Sequence, residues 1–426
     1  MATTHIERTY YEAELGESVA QMPLCGPLKV DVCVVGGGFT GLGAALALAK
    51  KGAQVALIEA GSIGHAASGR NGGQLHSGYV PSQTMLTRWL GADHARALWD
   101  LAEAAKQLVR DLIDEHGIDC GLKNGLVIAA DDRAAARTLA SETDDLRTRY
   151  GYTQAKMLSD SETAALLGTD IYPVARLDMG GGHLQPLALA RGLAAAAQAR
   201  GVRIFEHTCA KSLETSPARV RVSCAGGTLE ADKVIIACDV GAGRLVPALA
   251  PFVLEVESFI AVTSVLPAEL AARVLPSDVA VADTRHVLDY YRKTMDGRLL
   301  FGGRASYFAV PENVREVVRP RIEHVFPMLK GIALSHAWSG AVGVSRTGMP
   351  HLGRIGERVL FGHGYSGHGV ALANLGGALL AEALMGQNER FDVLAAVRAR
   401  PFARAAWARR LLIPAGLFWY RLCDLV

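Results

Sequence analysis

The fold of this chain is decided by the sequence VDVCVVGGGFTGLGAALALAK, residues 30–50. Its first six residues, Val30–Val35, are almost all apolar and mostly β-branched, which is typical of a buried parallel strand. Gly36, Gly38 and Gly41 follow with the spacing GxGxxG, and the alanines and leucines after them favour a helix. The segment therefore predicts a strand, a tight glycine turn and a helix, the opening unit of a doubly wound α/β sheet.

This glycine turn predicts a binding site for the pyrophosphate of a dinucleotide. Gly36 lets the chain turn, Gly38 lets a phosphate approach the backbone, and Gly41 lets the helix pack closely on the strand. Phe39 and Thr40 begin the helix and would offer free backbone N–H groups to the phosphates.

Glu59 ends the second predicted strand, residues 54–58, and is the candidate partner for a ribose. A carboxylate at this place accepts hydrogen bonds from the ribose diol, and a glutamate there argues against the 2′-phosphate of NADP. A surface glutamate at a strand end is the alternative. Ala60 follows directly and is predicted to belong to the same site.

The segment SGRNGGQ, residues 68–74, favours a flavin dinucleotide over a nicotinamide one. It places backbone and side-chain hydrogen-bond donors between three glycines, a composition suited to wrapping an extended phosphate and ribityl chain. A solvated turn is the alternative, because Asn-Gly is common in hairpins. The predicted cofactor residues of this segment are Ser68, Arg70, Asn71, Gly72, Gly73 and Gln74.

A second glycine cluster lies near the other end of the chain, in the sequence GHGYSGHGV, residues 362–370. It precedes an apolar helix predicted over 370–385, whose first N–H groups would face the pyrimidine edge of an isoalloxazine ring. His368 is a candidate flavin contact, with a histidine of a capped loop as the alternative. The predicted cofactor residues of this cluster are Gly364, Gly367, His368, Gly369 and Val370.

Composition excludes several classes of protein. With 426 residues, of which 50% are hydrophobic, the chain is long enough for two or three packed units and is not of a disordered type. The net charge of +2 argues against a nucleic-acid partner. The seven cysteines include no CxxC pair, which argues against a disulfide framework and a zinc site. We expect a cytoplasmic protein that binds no metal and acts on a small molecule.

Two segments bear on membrane binding. The first twenty residues carry charges and lack the apolar region of a signal peptide, and no apolar stretch reaches the ~20 residues that a bilayer requires. The C-terminal tail, residues 396–426, combines arginines with large apolar residues and could lie on a membrane surface. Because Pro414 and Gly416 would break an interfacial helix, we expect a helical tail that packs on its own protein.

The glycine turn, the segment 68–74 and the sequence GYSGHG, residues 364–369, together resemble the D-amino acid oxidase and glycine oxidase superfamily of FAD enzymes. Within it the chain is most similar to the γ-glutamylputrescine oxidoreductases. The sequences GGHLQP (181–186), LDYYR (288–292) and WSG (338–340) support the resemblance. It implies FAD as the cofactor and adds Gly340 to the cofactor residues. The FAD is expected to be noncovalent, because the attachment histidine of some relatives aligns nearer to Arg70 than to His65.

The resemblance also implies the architecture: a discontinuous FAD-binding domain of Rossmann type and a substrate domain built on a mixed β-sheet. We assign residues 28–80, 181–245 and 336–395 to the FAD-binding domain, residues 81–180 and 246–335 to the substrate domain, and residues 396–426 to the helical tail. In the substrate domain, residues 287–292 and 298–302 flank Met295-Asp296-Gly297, which predicts a hairpin.

In this superfamily a sheet of the substrate domain covers the flavin, so the hairpin supplies candidates for the catalytic pocket. Tyr290 and Tyr291 alternate along a strand and cannot both face the pocket; we expect Tyr291 to do so. Trp338 is the second aromatic candidate, and packing in the core is the alternative for both. Arg304 and Arg346 could bind a substrate carboxylate through paired hydrogen bonds, with exposed salt bridges as the alternative. Arg304 departs from the pattern of γ-glutamylputrescine oxidoreductases, which puts that substrate in doubt.

The activity that the resemblance implies is oxidation of a C–N bond in a small amine or amino acid. A hydride would pass from the carbon bearing a neutral amine to flavin N5, the imine would hydrolyse to a carbonyl, and oxygen or another acceptor would reoxidise the flavin, giving hydrogen peroxide in the case of oxygen. One alternative is an oxidase or dehydrogenase of a cyclic imino acid such as L-pipecolate or proline. An alternative of another class is a non-catalytic, flavin-binding redox sensor.

Overall fold

The computed structural model describes residues 8–18, 21–285, 287–306 and 310–402, except for the Arg304 side chain. Two β-sheets account for the strands in that part of the chain. The strands, in chain order, are β1 (Gly26–Val35), β2 (Val55–Ile58), β3 (Gln74–Leu75), β4 (Lys123–Ala130), β5 (Ala155–Leu158), β6 (Val174–His183), β7 (Arg203–Phe205), β8 (Ala210–Thr215), β9 (Val220–Cys224), β10 (Gly227–Ile236), β11 (Val253–Thr263), β12 (Ala280–Asp283), β13 (Tyr290–Lys293), β14 (Leu299–Ser306), β15 (Leu334–Ser345), β16 (His351–Ile355) and β17 (Val359–His363).

Helices cover the sheets and connect them. The α-helices are α1 (Tyr10–Leu15), α2 (Phe39–Lys50), α3 (Ala67–Arg70), α4 (Gln83–Leu90), α5 (Ala92–His116), α6 (Arg133–Tyr150), α7 (Asp160–Leu167), α8 (Pro186–Ala199), α9 (Ala242–Leu245), α10 (Ala268–Arg273), α11 (Val314–Val325), α12 (Gly369–Leu384) and α13 (Glu389–Ala395). Short 3₁₀ turns occupy Asp239–Gly241, Pro247–Phe252 and Pro327–Leu329.

The first sheet has the strand order β16-β17-β10-β1-β2-β7, and its five strands from β17 to β7 run parallel. Helices α2, α8 and α12 cover one face, and the β8–β9 hairpin with α9 covers the other. Both faces are therefore apolar, which explains the continuous hydrophobic run of β1. The predicted strand, glycine turn and helix of residues 30–50 are confirmed.

The second sheet has the order β15-β11-β14-β13-β12-β4-β6-β3, with β5 paired to β6. Its pairs are antiparallel except for the parallel pair of β12 and β4, so the predicted mixed sheet is confirmed. The predicted hairpin is formed by β13 and β14. One face of this sheet packs on α7, α10 and α11 in a core that includes Val127, Tyr291 and Phe301.

Helices α2 and α12 cross at very close range because glycines stand at the crossing. A Cβ atom at Gly377 of α12 would collide with the carbonyl oxygen of Thr40 in α2. A Cβ atom at Gly43 would lie 2.9 Å from the Asn374 carbonyl oxygen. The hydroxyl of Thr40 also donates to the Tyr365 hydroxyl at 2.9 Å, which ties the start of α2 to the loop before α12. The two predicted glycine-rich segments are thus fixed relative to each other by backbone packing.

The two largest differences between the predicted domain ranges and the structure concern β15 and α5. Residues 336–345, predicted for the FAD-binding domain, form most of β15 in the second sheet. Helix α5, predicted for the substrate domain, packs on α8 and α12 beside the first sheet. Both assignments were wrong because apolar spacing indicates the type of an element but not the partner on which it packs. The other boundaries stay predictions.

Among the described residues there is no helix that is both long enough and apolar enough to cross a bilayer. Of the predicted tail, residues 396–402 are described, and Phe402 donates its N–H to the Pro251 carbonyl at 2.8 Å. Residues 403–426 lie outside the described part of the chain, so the packing of the tail stays a prediction.

We predict that Gly377→Ala destabilises the protein by about 2 kcal/mol, because the added methyl group meets backbone that cannot rotate away. Urea unfolding of the flavin-free protein measures the effect. Gly369→Ala is the matched control on the same helix, since a Cβ there has its nearest neighbour at 3.8 Å. Equal stability of the two variants would show that the close crossing is not needed.

Candidate active site

The glycine turn has the geometry that a pyrophosphate requires. Gly36 has φ +117° and donates its N–H to the Ile58 carbonyl at 2.8 Å, so the turn is anchored on β2. A Cβ at Gly41 would collide with the Gly36 carbonyl oxygen, which shows how closely α2 approaches the strand. A side chain is excluded at both Gly36 and Gly41. The turn that they form, the cradle, leaves room for a phosphate group at the start of α2.

Glu59 lies beside this turn, where the sequence predicted a ribose partner. Its carboxylate accepts hydrogen bonds from the N–H groups of Gly37 at 2.7 Å and Gly61 at 2.8 Å. The side chain therefore shapes the turn, and its remaining lone pairs could accept ribose hydroxyls. Ala60 is exposed next to it.

Ser68 faces the start of α2, as a phosphate-binding residue would. Its hydroxyl accepts the N–H of Phe39 at 2.9 Å, and a Cβ at Gly38 would lie 2.8 Å from the same oxygen. Thr40 can contribute only its backbone, because its hydroxyl is bonded to Tyr365. The polar groups that meet at the turn are thus mainly backbone N–H groups and one serine hydroxyl.

The side chains of Arg70, Asn71 and Gln74 hold the segment 68–74 in place and do not extend toward a ligand. Arg70 donates Nε–H to the Ser339 carbonyl at 2.8 Å, and Gln74 donates to the Val281 carbonyl at 2.7 Å. The amide of Asn71 accepts the Gly73 N–H at 2.7 Å and donates back into α3. These side chains support the loop, so the groups that it can offer to a ligand are on its backbone, and the binding of FAD by this segment stays a prediction.

The second glycine cluster forms the entrance to α12. Gly364 and Gly367 have φ +74° and +93°, conformations that favour glycine. Gly369 begins the helix, and Val370 has its side chain in the core, so it can offer only its backbone. The N–H groups of Gly364, Ser366 and His368 are bonded within the protein, so the groups that could stabilise an anion are the first N–H groups of α12 itself.

His368 stands immediately before α12 and stacks on His76, with ring centroids 4.4 Å apart and planes at 7°. Its Nδ1 is buried and has no hydrogen-bond partner among the described residues. Burial lowers the pKa of His368 to about 4. Burial, followed by the charges of His368 and Arg176, lowers the pKa of His76. Both rings are therefore neutral at pH 7.

Asp239 is a site residue that the sequence analysis missed. Its carboxylate accepts the N–H groups of Gly364 at 2.8 Å and Gly343 at 3.2 Å, and so joins the second glycine cluster to β15. Burial raises the pKa of Asp239, an effect that these backbone hydrogen bonds oppose. Its position directly after a buried strand, where ligands gather in parallel sheets, was the signal available.

Alternation along β13 was predicted correctly, but the choice of tyrosine was wrong. Tyr291 is fully buried in the core of the second sheet, stacked on Phe301 at 5.3 Å. Tyr290 is on the opposite face, where its ring lies against Gly72 and its hydroxyl meets the Ser258 hydroxyl at 3.1 Å. Tyr290 is therefore the tyrosine that touches the predicted flavin segment.

Trp338 supports that segment from behind and does not line an open pocket. It is 1% exposed, and its indole N–H donates to the Arg70 carbonyl at 3.0 Å. Gly340, predicted as a cofactor residue, lies in the same strand, where a Cβ would be 3.2 Å from the Cβ of Arg70. Both residues contact the loop, and the structure gives no support to a catalytic role for Trp338.

The two predicted carboxylate-binding arginines have different outcomes. Arg346 is exposed, and its guanidinium donates to the Pro401 carbonyl at 3.2 Å, which leaves it an anchor for the last described residues. Arg304 belongs to β14, and its side chain lies outside the described part of the structure. Its role stays a prediction.

Arg176 was missed by the sequence analysis. It lies in β6 between Leu177 and Ala175, which both face the core, so its side chain is on the opposite face, the one that carries Tyr290. The side chain is 18% exposed, and the nearest carboxylate oxygen, on Glu142, is 4.0 Å away. Within the described residues its guanidinium has no hydrogen bond. No spacing in the sequence distinguished it from the other arginines.

Comparison with known proteins agrees with this geometry. A family model described as DAO, FAD dependent oxidoreductase, matches residues 31–383. This chain belongs to the DAO family of FAD-dependent oxidoreductases. The DAO-family assignment confirms the predicted resemblance and the predicted cofactor, and the cradle at Gly36 and Gly41 fits FAD.

Curated relatives align with nearly the whole chain. A probable oxidoreductase OrdL of Rhizobium meliloti (strain 1021) is 36% identical over 98% of this chain and 97% of its own length. The γ-glutamylputrescine oxidoreductase of Escherichia coli (strain K12) is 36% identical over 98% of both chains. Glycine oxidase from Geobacillus kaustophilus, a crystal structure, superposes with a TM-score of 0.72 at 23% identity, covering 84% of this chain and 95% of that one. That similarity shows a shared fold.

We predict that Glu59→Ala weakens FAD binding about tenfold and leaves the fold intact. The variant loses a carboxylate that orders two N–H groups of the turn and would accept ribose hydroxyls. Release of FAD from the diluted holoprotein, followed by flavin fluorescence, measures the change. Glu214→Ala, an exposed glutamate on β8, is the control, and unchanged affinity for FAD in Glu59→Ala would remove Glu59 from the site.

Proposed function

We propose that this protein oxidises the C–N bond of a small amine or amino acid that carries an anionic group, with γ-glutamylputrescine as the model substrate. The observation that carries the proposal is the Arg176 guanidinium, which is largely buried, lacks a hydrogen bond among the described residues and lies on the face that carries Tyr290. The 36% identity to a γ-glutamylputrescine oxidoreductase supports it.

FAD is proposed to lie between the two glycine-rich segments. Its pyrophosphate would meet the backbone of Gly38 and Phe39, with Ser68 beside them. The backbone of segment 68–74 and the start of α12 would hold the ring system. When bound, FAD supplies the capacity to accept a hydride from the carbon next to the amine nitrogen.

The protein contributes the position and charge of the substrate. A guanidinium that is largely removed from water binds a carboxylate with two parallel hydrogen bonds, each stronger than a neutral one. Desolvation lowers the pKa of Arg176. The negative charge of a bound anion would raise that pKa again. Arg176 lies near enough to His76 for its charge to lower the pKa of that histidine, so a substrate held at Arg176 would lie beside the histidine pair.

The same surroundings favour the neutral form of the substrate amine. An amine of pKa about 10 is almost wholly protonated at pH 7, and an apolar, cationic environment lowers that value. Neither His76 nor His368 is a good proton acceptor at pH 7, since their pKa values are lowered. We therefore propose that the pocket selects the neutral amine without a dedicated base.

The electron acceptor belongs to the proposal as well. Oxygen, with hydrogen peroxide as product, is the proposed acceptor, and peroxide release with each substrate of an amine panel tests it. A cyclic imino acid such as proline or L-pipecolate belongs in that panel, since turnover with these compounds and not with γ-glutamylputrescine would replace the proposed substrate class. No turnover with any compound would contradict the proposed function.

We predict that Arg176→Gln raises the KM for γ-glutamylputrescine about 10- to 100-fold, because a charge-assisted pair with the carboxylate is lost. The KM for putrescine, which lacks a carboxylate, should stay unchanged. Arg137→Gln, which removes an exposed arginine of α6, is the matched control. If Arg176→Gln impairs both substrates equally, Arg176 is only the structural partner of Glu142.

We predict that the rate of flavin reduction by substrate rises between pH 7 and 10 through a single ionisation, that of the bound amine. His368 is already neutral above pH 6, because its pKa is lowered to about 4, so it exchanges no proton in this range. Anaerobic stopped-flow measurements should show the same ionisation in His368→Asn, shifted when a substrate of different amine pKa is used. An ionisation that disappears with His368 would instead identify a base.

A further inference from the structure

Four consecutive carbonyl groups of the predicted flavin segment are each bound by a donor from another part of the chain. Three donors are side chains of α1, β13 and β15, and the fourth is the backbone N–H of a residue between β6 and α8. Each makes a hydrogen bond of normal length. The pairs are Trp338 Nε1 to Arg70 O at 3.0 Å, Tyr11 Oη to Asn71 O at 2.8 Å, Arg292 Nε to Gly72 O at 2.8 Å, and Leu184 N to Gly73 O at 2.8 Å.

Fixing a carbonyl also fixes the direction of the next N–H group. In a planar trans peptide the C=O of one residue and the N–H of the following residue point in opposite directions. The donors behind residues 70–72 therefore turn the N–H groups of residues 71–73 to the other side of the loop. The N–H of Gly73 is used within the loop by the Asn71 side chain, and that of Asn71 belongs to the last turn of α3, which leaves the N–H of Gly72 directed outward.

Tyr11 occupies the centre of this arrangement. It is fully buried, its hydroxyl donates to the Asn71 carbonyl, and the same oxygen accepts Nη2–H of Arg292 at 3.2 Å. Its ring packs edge-on against Trp338, with centroids 5.3 Å apart. Two of the four donors therefore contact each other through one phenol, and such a chain of hydrogen bonds is cooperative.

Helix α1 is held firmly enough to place this phenol. Thr9 and Glu12 form a capping box at its start. The Tyr10 hydroxyl lies 2.7 Å from a Glu14 carboxylate oxygen and 2.8 Å from one of Asp296, and its single O–H is shared between these two acceptors, so α1 is also tied to the β13–β14 turn. Tyr10 makes no hydrogen bond to residues 70–73, although it is adjacent to Tyr11 and equally well packed.

We propose that Tyr11 is a positioning residue for FAD, which fixes the Asn71 carbonyl and thereby orients the Gly72 N–H toward the cofactor, and that Arg292 supports this role through its hydrogen bonds to the Tyr11 hydroxyl and the Gly72 carbonyl. Tyr11 precedes residues 31–383, the part of the chain that the family model matches. By this proposal the short N-terminal helix α1 determines how tightly the flavin segment holds its ligand. The proposal rests on the assignment of this segment to FAD.

The test compares Tyr11→Phe with Tyr10→Phe in the full-length holoprotein. Each variant removes one hydroxyl from a buried ring of α1. We expect Tyr11→Phe to raise the dissociation constant of FAD about five- to tenfold, since one hydrogen bond that orders the loop is lost. Tyr10→Phe should retain the wild-type dissociation constant. Fluorescence of released FAD after dilution gives both values.

Two further readouts separate positioning from stability. The melting temperatures of the flavin-free variants measure what each lost hydroxyl contributes to stability, independently of FAD. Visible circular dichroism of the FAD-saturated protein, which does not require release, should change in Tyr11→Phe and not in Tyr10→Phe. Equal weakening of FAD in both variants, or wild-type affinity and dichroism in Tyr11→Phe, would overturn the proposal.

Arg292→Lys provides a second route if Tyr11→Phe does not fold. Lysine keeps the charge but lacks the Nε–H that reaches Gly72, so FAD should again bind about five- to tenfold more weakly. Ser68→Ala tests the underlying assignment separately. If Ser68→Ala weakens FAD and neither positioning variant does, the segment binds FAD but Tyr11 and Arg292 do not position it; if none does, the assignment of the segment is wrong.

Discussion

The backbone of residues 70–74 is bonded to the second sheet and to α1, and the arrangement of the site depends on this constraint. The segment starts in α3 beside the glycine turn of the first sheet and ends as β3, an edge strand of the second. Its carbonyls are bound by side chains of the second sheet and of α1, while Ser68 at its start contacts α2. Because few alternative partners exist for a buried carbonyl, the segment has little freedom to move.

The second sheet separates a structural face from a functional one. On the structural face, Tyr291 and Phe301 stack in the core, and the nearby Asp283 has a pKa raised to about 8 by burial and then by the charge of Asp289. On the functional face, Tyr290 touches Gly72 and Arg176 faces the region of the histidine pair. Strand β13 thus contributes Tyr291 to the core and Tyr290 to the site. Because successive side chains of a strand point to opposite faces, the two tyrosines cannot exchange these roles.

Electrostatics on the functional face are set by burial more than by net charge. The histidines are kept neutral, whereas Arg176 keeps its charge with its nearest carboxylate at 4.0 Å. A largely buried guanidinium that lacks a close partner is costly unless a ligand supplies one. This asymmetry favours a substrate that is anionic at one end and a neutral amine at the other.

The sequence by itself determined the parts of the protein that depend on local chain geometry. The strand, the GxGxxG turn and the helix of residues 30–50 follow from the spacing of apolar residues and from glycines that no residue with a side chain can replace. The segments 68–74 and 364–369 then indicated the family. What only the tertiary structure decided are the roles that depend on which element packs where. Alternation showed that Tyr290 and Tyr291 face opposite sides but not which side meets the flavin segment. Tyr11, Arg176 and Arg292 carry no local signal for their roles, because their partners are distant in sequence and are brought together only when the two sheets and α1 pack.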